Sequence, residues 1–173
     1  MTVLPLTTAL VLEPKGSVLT IWLNRPEAKN ALSAAMVEEL GAVLDAIRDD
    51  RSLRTIILRG KGGVFCAGGD IKGFRSDLQG GEPDRDDIAR GNRGFGDLML
   101  KLNEQPQVVL ILVEGAAIGG GLGLACVGDV TIVTRDARFR LSETSLGIPP
   151  AQIAPFVTER VGLTQARRLM LTG

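Results

Sequence analysis

"AAIGGGLGLACVGD", residues 116–129, holds five glycines and no charged residue before Asp129. It follows "VVLILVEG", residues 108–115, an apolar run broken only by Glu114. Read alone, residues 108–127 resemble a membrane span. Six glycines between Gly115 and Gly128, an acid in the middle and acidic flanks argue against that. A buried strand, Val108 to Val113, running through a glycine turn into a buried helix accounts for the pattern better. The clustered glycines carry no nucleophile, acid or base, so any chemistry here belongs to backbone N–H groups.

Working outward, the remaining periodicities alternate strand with helix. Residues 17–26, "SVLTIWLNRP", alternate apolar and polar side chains and read as a half-buried strand stopped at Pro26. Ser33 is a good N-cap for a helix with Val37, Leu40, Leu44 and Ile47 on one face. Glu38, Glu39, Asp45 and Asp49 fall largely on the other. Residues 54–60 form a second strand, and "GGVFCAGGDIKGF", 62–74, turns toward another possible helix. Residues 75–94 are polar, glycine-containing and dense in both charge signs, and they read as a surface loop or lid. A helix over 95–103 then leads into Val108–Val113, and residues 129–134 make a further strand. The alternation predicts an α/β architecture with buried parallel strands.

The 173 residues suffice for one domain that buries about 70% of its unfolded surface. Twenty basic and 20 acidic residues cancel, and aromatic content is 3%. Neither a basic field nor stacking platforms for nucleic acid follow, nor an anchor for an anionic membrane. Cys66 and Cys126 are too few for a disulfide scaffold and suit buried free thiols in a reducing, cytoplasmic compartment. The N-terminus lacks an early basic residue and a cleavage signal, so no secretory leader is read there. The chain has no histidine and no tyrosine. Ser-His-Asp and Cys-His catalysis are thereby excluded, and the commonest zinc ligand is missing, so no metal site is expected. Acid–base work falls to Asp, Glu, Lys or Cys.

The glycines at 119, 120, 121 and 123 fit no register of G-x-G-x-x-G, because Leu124 and Cys126 stand where the last glycine belongs. A phosphate loop ending in G-K-[ST] is also missing. What residues 119–121 do offer is a strand-to-helix junction, where unpaired N–H groups and the helix dipole favour an anion. "CAGGD", residues 66–70, is a similar junction. Two such turns facing each other would form an oxyanion hole from the main chain alone. Glycines in one such turn could equally serve tight packing; the pair at equivalent strand ends favours function. Among carboxylates, Glu143 lies between Leu141, Leu146 and Ile148, and burial by these neighbours would raise its pKa and suit it to proton transfer. Glu114 and Asp129 flank the glycine segment and suit turn or cap hydrogen bonds.

"NRPEAKNALS", "GGVFCAGGDIKGF", "VEGAAIGGGLGLACVGDV" and "RFRLSETSLGIPP" together resemble the signature segments of the crotonase superfamily, the enoyl-CoA hydratase/isomerase family. The resemblance implies a spiral of ββα units and a coenzyme A thioester substrate, with no separate cofactor. It also implies an enolate intermediate held by two backbone N–H groups. By motif position, Gly69 and Gly120 are the two donors and Glu143 the catalytic glutamate. Ala67, Gly69, Asp70, Ile71, Lys72 and Gly120 line the thioester, and Ala28 contacts the adenine and pantetheine part. At Gly123 the chain departs from the pattern, since well-known hydratases have their first catalytic glutamate there. A lone Glu143 suits a hydratase whose water other groups orient. The alternative is a pure isomerase; a non-catalytic acyl-CoA-binding member that lost its chemistry with that residue fits the intact glycine turns and Glu143 less well.

Residues 141–157, "LSETSLGIPPAQIAPFV", are similar to the bacterial methylglutaconyl-type hydratases, some of which also have glycine after the triple glycine. Family members continue past "ARRLMLTG", residues 166–173, into helices that cover the acyl site and help form trimers. Residues 1–173 therefore read as a single core domain without that helical region, and a homotrimer or hexamer is implied where the region is present.

Overall fold

The computed structural model describes the backbone of residues 2–70 and 85–173. Strand β1 (Leu10–Lys15) and β2 (Val18–Leu23) pair antiparallel through a two-residue link in which Gly16 adopts φ 59°. Strands β3 (Thr55–Gly60), β4 (Val108–Val113) and β6 (Val130–Val133) extend the sheet in parallel, in the order β1-β2-β3-β4-β6. The α/β architecture with buried parallel strands is as expected; the antiparallel edge strand β1 is an addition. Two three-residue strands, β5 (Ala116–Ile118) and β7 (Arg138–Arg140), form a separate parallel pair.

Strand β2 alternates half-buried and buried residues, and Leu19, Ile21 and Leu23 point inward with Ile56 and Leu58 of β3 and Val109, Ile111 and Val113 of β4. Each such side chain taken from water contributes about 1.5–3 kcal/mol. Helix α1 (Ala34–Ile47) covers this face; the Ser33 hydroxyl accepts from Met36 N at 3.2 Å and caps it. Its inward face is Met36, Leu40, Val43, Leu44 and Ile47, with Val37 only partly buried. Glu39 does not simply face solvent. Its carboxylate accepts from Thr8 N (3.0 Å) and Ala9 N (2.9 Å), pinning the N-terminal segment to α1.

Helix α2 (Arg85–Asn103) corrects the expected loop over 75–94, whose last ten residues are helical; the remainder lies outside the described residues. Residues 89–94 are exposed, so their polar composition is that of a solvated helical face rather than of a loop. Leu98, Met99 and Leu102 anchor the C-terminal half in the core, and the helix propagates back from there. Helix α3 (Gly120–Val127) is buried from Gly121 onward. Residues 154–172 form α4 (Ala154–Thr172), with Pro155 in its first turn and a kink at Gly162, whose φ is 75° and ψ 158°. No helix among the described residues is long and apolar enough to cross a membrane.

Candidate active site

Three short extended segments lie side by side and deliver their ends to one place. Cys66 N donates to Ala116 O at 3.0 Å and Ile118 N donates to Cys66 O at 2.9 Å, which sets residues 66–69 beside β5. On its other edge β5 pairs with β7, and Gly119 N extends that pairing to Arg140 O at 2.8 Å. All three run parallel. They end respectively at Gly68-Gly69, at Gly119-Gly120 and, three residues beyond β7, at Glu143.

The close approach of these ends requires glycine. Gly119 adopts φ 52° and ψ −120°, a combination closed to residues with a Cβ. A Cβ on Gly121 would fall 2.6 Å from Cys66 O, so only glycine lets α3 begin directly on the 66–69 segment. Gly69 bridges to Leu32: Leu32 N donates to Gly68 O (2.8 Å) and Asp70 N to Leu32 O (3.0 Å). That pairing turns the N–H of Gly69 itself to the opposite side, where it is exposed and meets no acceptor among the described residues. Gly120 opens α3, and its N–H likewise has no acceptor among them, as befits the first turn of a helix. Two unpaired donors therefore stand at the ends of adjacent segments.

Glu143 is the carboxylate that lies beside these turns. Its Oε1 lies 2.9 Å from where a Cβ on Gly119 would sit, so the carboxylate rests against the glycine turn itself. Its Oε2 is buried with no hydrogen-bond partner among the described residues, and burial pushes the carboxyl above the ordinary glutamate range. The neighbours expected to bury it do so only in part. Leu141 is fully buried, but Leu146 and Ile148 are each 53% exposed. The carboxylate packs against Gly119 of the glycine turn, and Leu146 and Ile148 leave it open on their side. The turn that presents Glu143 is fixed by its own carbonyl, which accepts from Leu146 N (2.9 Å) and Ile148 N (3.1 Å).

Ala67 N donates to Lys29 O at 3.0 Å, which brings the 28–32 loop, including Ala28, against the first donor segment. Asp70 is held by Arg25, whose Nη1 donates to Asp70 Oδ2 (2.8 Å) and to Ala31 O (2.9 Å). Ile71 and Lys72 lie outside the described residues. Sequence reasoning missed Arg25 and, behind it, Asn30. Asn30 is fully buried, accepts from Arg25 N (2.9 Å) and donates to Lys61 O (2.8 Å) and Val64 O (2.7 Å). Lys29 and Asn30 are consecutive left-handed residues at φ 51° and 54°, a conformation asparagine tolerates, and only the fold reveals it.

The other polar groups nearby are tied up structurally. Asp129 Oδ2 accepts from Val109 N at 2.7 Å, and Glu114 pairs with Arg59 at 2.8 Å. Arg160 of α4 donates to the carbonyls of Cys126 (3.0 Å), Gly128 and Asp129 (3.4 Å), closing the C-terminal end of α3. Both thiols are free and buried; burial pushes Cys66 up to about 12 and Cys126 to about 11, so neither serves as a base or nucleophile.

Residues 13–173 match the sequence model of the Enoyl-CoA hydratase/isomerase family. An enoyl-CoA hydratase of Alternaria alternata is 34% identical over 162 residues, 94% of this chain and 51% of that protein. Among solved structures, AtuE of Pseudomonas aeruginosa superposes with a TM-score of 0.91 at 57% identity, over 95% of this chain and 63% of that one. An enoyl-CoA hydratase/isomerase from Marinobacter aquaeolei gives 0.88 at 50% identity, with the same two coverages. The chain spans about half the length of the curated relatives it matches. Its fold is that of these two solved structures, and by the span of the family match the chain belongs to the enoyl-CoA hydratase/isomerase family, the crotonase superfamily.

Proposed function

We propose that the protein is an acyl-CoA hydratase/isomerase in which the Gly69 and Gly120 N–H groups hold a thioester oxygen and Glu143 moves the proton. The observation that carries this reading is the position of Glu143: a carboxylate with a raised pKa and an unpartnered oxygen, lying against the glycine turn that bears one donor. A carbonyl oxygen between two preorganised N–H groups gains most when it becomes an enolate, because the donors need no reorganisation as charge develops. Ala28, Ala67, Asp70, Ile71 and Lys72 line the coenzyme A and thioester portion of the substrate. Coenzyme A arrives as part of that substrate; no separate cofactor or metal takes part.

On a 2-enoyl-CoA, water oxygen bonds to C3 and the C2=C3 pair moves into the thioester as an enolate. The water proton goes to Glu143 carboxylate, and a proton from Glu143 then closes C2, giving a 3-hydroxyacyl-CoA. A branched, methylglutaconyl-type acyl group is our reading of the substrate, resting on the similarity of residues 141–157 to those hydratases. A second reading, favoured by Gly123, is isomerisation of a 3-enoyl-CoA. There Glu143 removes a proton from C2 and returns it to C4, with no water needed. We place the whole protein in the cytoplasm as a homotrimer or hexamer; the exposed apolar side chains of Val130, Ile132 and Val133 on β6 support burial there in an assembly.

The test is incubation with crotonyl-CoA, 3-methylglutaconyl-CoA and 3-hexenoyl-CoA in ¹⁸O-labelled water. Label in a 3-hydroxyacyl product establishes hydration, and unlabelled 2-enoyl product from the 3-enoyl substrate establishes isomerisation. Saturable binding of all three with no product would leave only an acyl-CoA-binding role. Unchanged turnover in Glu143→Gln would overturn the mechanism.

A further inference from the structure

Gly123 sits one turn into α3 from Gly120, and its N–H donates to Gly119 O at 3.1 Å. Side chains on a helix tilt toward its N-terminus, so anything longer than hydrogen at 123 would lean back over the turn that carries the Gly120 N–H. That volume is already filled. A Cβ built on Gly123 would lie 2.3 Å from Ile153 Cγ2, 2.9 Å from Ile153 Cβ and 3.4 Å from Met99 Cε. Ile153 is 3% exposed and immediately precedes α4, and Met99 of α2 is fully buried. The first two distances are shorter than any tolerable carbon–carbon contact. The offending Ile153 Cβ is fixed to its backbone, so no rotamer change relieves the clash. The neighbouring residue follows the same packing: a Cβ on Gly96 of α2 would meet Gln152 Cγ at 3.4 Å.

We infer that Ile153 is a specificity-determining residue: it occupies the volume through which a second carboxylate would reach the donor turn, and so makes this a single-carboxylate site with a hydrocarbon wall there. The inference rests on the reading of Gly120 and Glu143 given above. Glycine at 123 and isoleucine at 153 form one steric unit. Replacing the glycine alone cannot install a second acid, because the start of α4 would have to move first. With position 123 closed to an acid, proton transfer is left to Glu143, whichever acyl group is bound.

Two measurements test this. The first needs no ligand. Glycine to alanine inside a helix ordinarily stabilises. Here Gly123→Ala should lower the melting temperature by about 5 °C, since overpacking outweighs propensity. Combined with Ile153→Gly, the same change should raise it. A rise in the presence of Ile153 would overturn the inference.

The second uses acetoacetyl-CoA, whose enolate absorbs in the near ultraviolet and reports charge near the donors. In Gly123→Glu/Ile153→Gly, the added carboxylate should shift the pH midpoint of enolate formation upward by about one unit relative to Ile153→Gly alone. An unchanged midpoint would show that position 123 does not face the site, and would overturn the inference as well. Absence of enolate with the unmodified protein would instead break the oxyanion-hole reading. The melting comparison would still decide whether Ile153 holds that volume.

Discussion

The two ends of α3 are built in opposite ways. At its C-terminal end the Cys126, Gly128 and Asp129 carbonyls accept from Arg160, and the Asp129 carboxylate accepts from Val109 N. At its N-terminal end the Gly120 N–H has no acceptor among the described residues, and the nearby Glu143 Oε2 has no donor. A buried polar group without a partner costs about 1–3 kcal/mol, and Glu143 Oε2 is such a group among the described residues. On the function proposed above, the closed end is scaffold and the open end is where a ligand's polar atoms would sit.

That contrast breaks most sharply at Glu143. Glu143→Gln keeps shape and hydrogen-bonding capacity but removes the proton carrier, and turnover should fall by up to about 10,000-fold, read by steady-state assay on the acyl-CoA that the wild type converts. Gly120→Pro is next. Proline is well accepted at the first position of a helix, where its missing N–H is normally unused. The substitution should cost roughly 100- to 1,000-fold in kcat at a nearly unchanged melting temperature. Gly120→Ala, which keeps the N–H and meets the same neighbours, Leu32 Cδ1 at 3.0 Å and Phe95 Cζ at 3.2 Å, should cost far less. Equal losses in the two variants would mean that shape, not the donor, is what matters.

At the closed end the expected effects reverse in kind. Arg160→Met strips the partner from three carbonyls and should lower unfolding free energy by about 2 kcal/mol in urea denaturation, leaving turnover per folded molecule within a few-fold. A larger loss of turnover than of stability would erase the distinction between the ends. The smallest effect is on pH dependence. Burial raises the folded pKa of Glu143 above its unfolded value, so its contribution favours folding below the unfolded pKa and is lost as pH rises through the folded one. Glu143→Gln should therefore melt slightly higher than wild type at neutral pH, and the gap should close below about pH 4, where the carboxyl is neutral in both states.

Much of this organisation is legible in the sequence where burial is strong and local. Strand β4 coincides with its apolar run because a parallel strand in the middle of a sheet has little polar contact to break the pattern. Ser33 marks the start of α1 because a cap acts within three residues. Strand β5 escapes notice because three residues carry no period. Helix α4 is obscured by Gly162, which breaks its apolar register at the kink. In the candidate site, motif position points to Gly69, Gly120 and Glu143, which the fold brings together, but not to what surrounds them. The source of Glu143's desolvation, the Asn30–Arg25 brace and the Gly123–Ile153 fit all join residues whose proximity only the fold creates.

The two free thiols add a property of a different kind. Cys66 Sγ lies 3.0 Å from where a Cβ on Gly121 would be, wedged between the first donor segment and the start of α3, while Cys126 lies under Arg160 at the far end of the helix. With both held protonated and enclosed, a thiol reagent can react only when the surrounding structure parts. The chain thus carries two clocks of its own breathing, one per end of α3. Their labelling rates, compared with and without an acyl-CoA, would time how often the donor turns separate while the scaffold end stays closed.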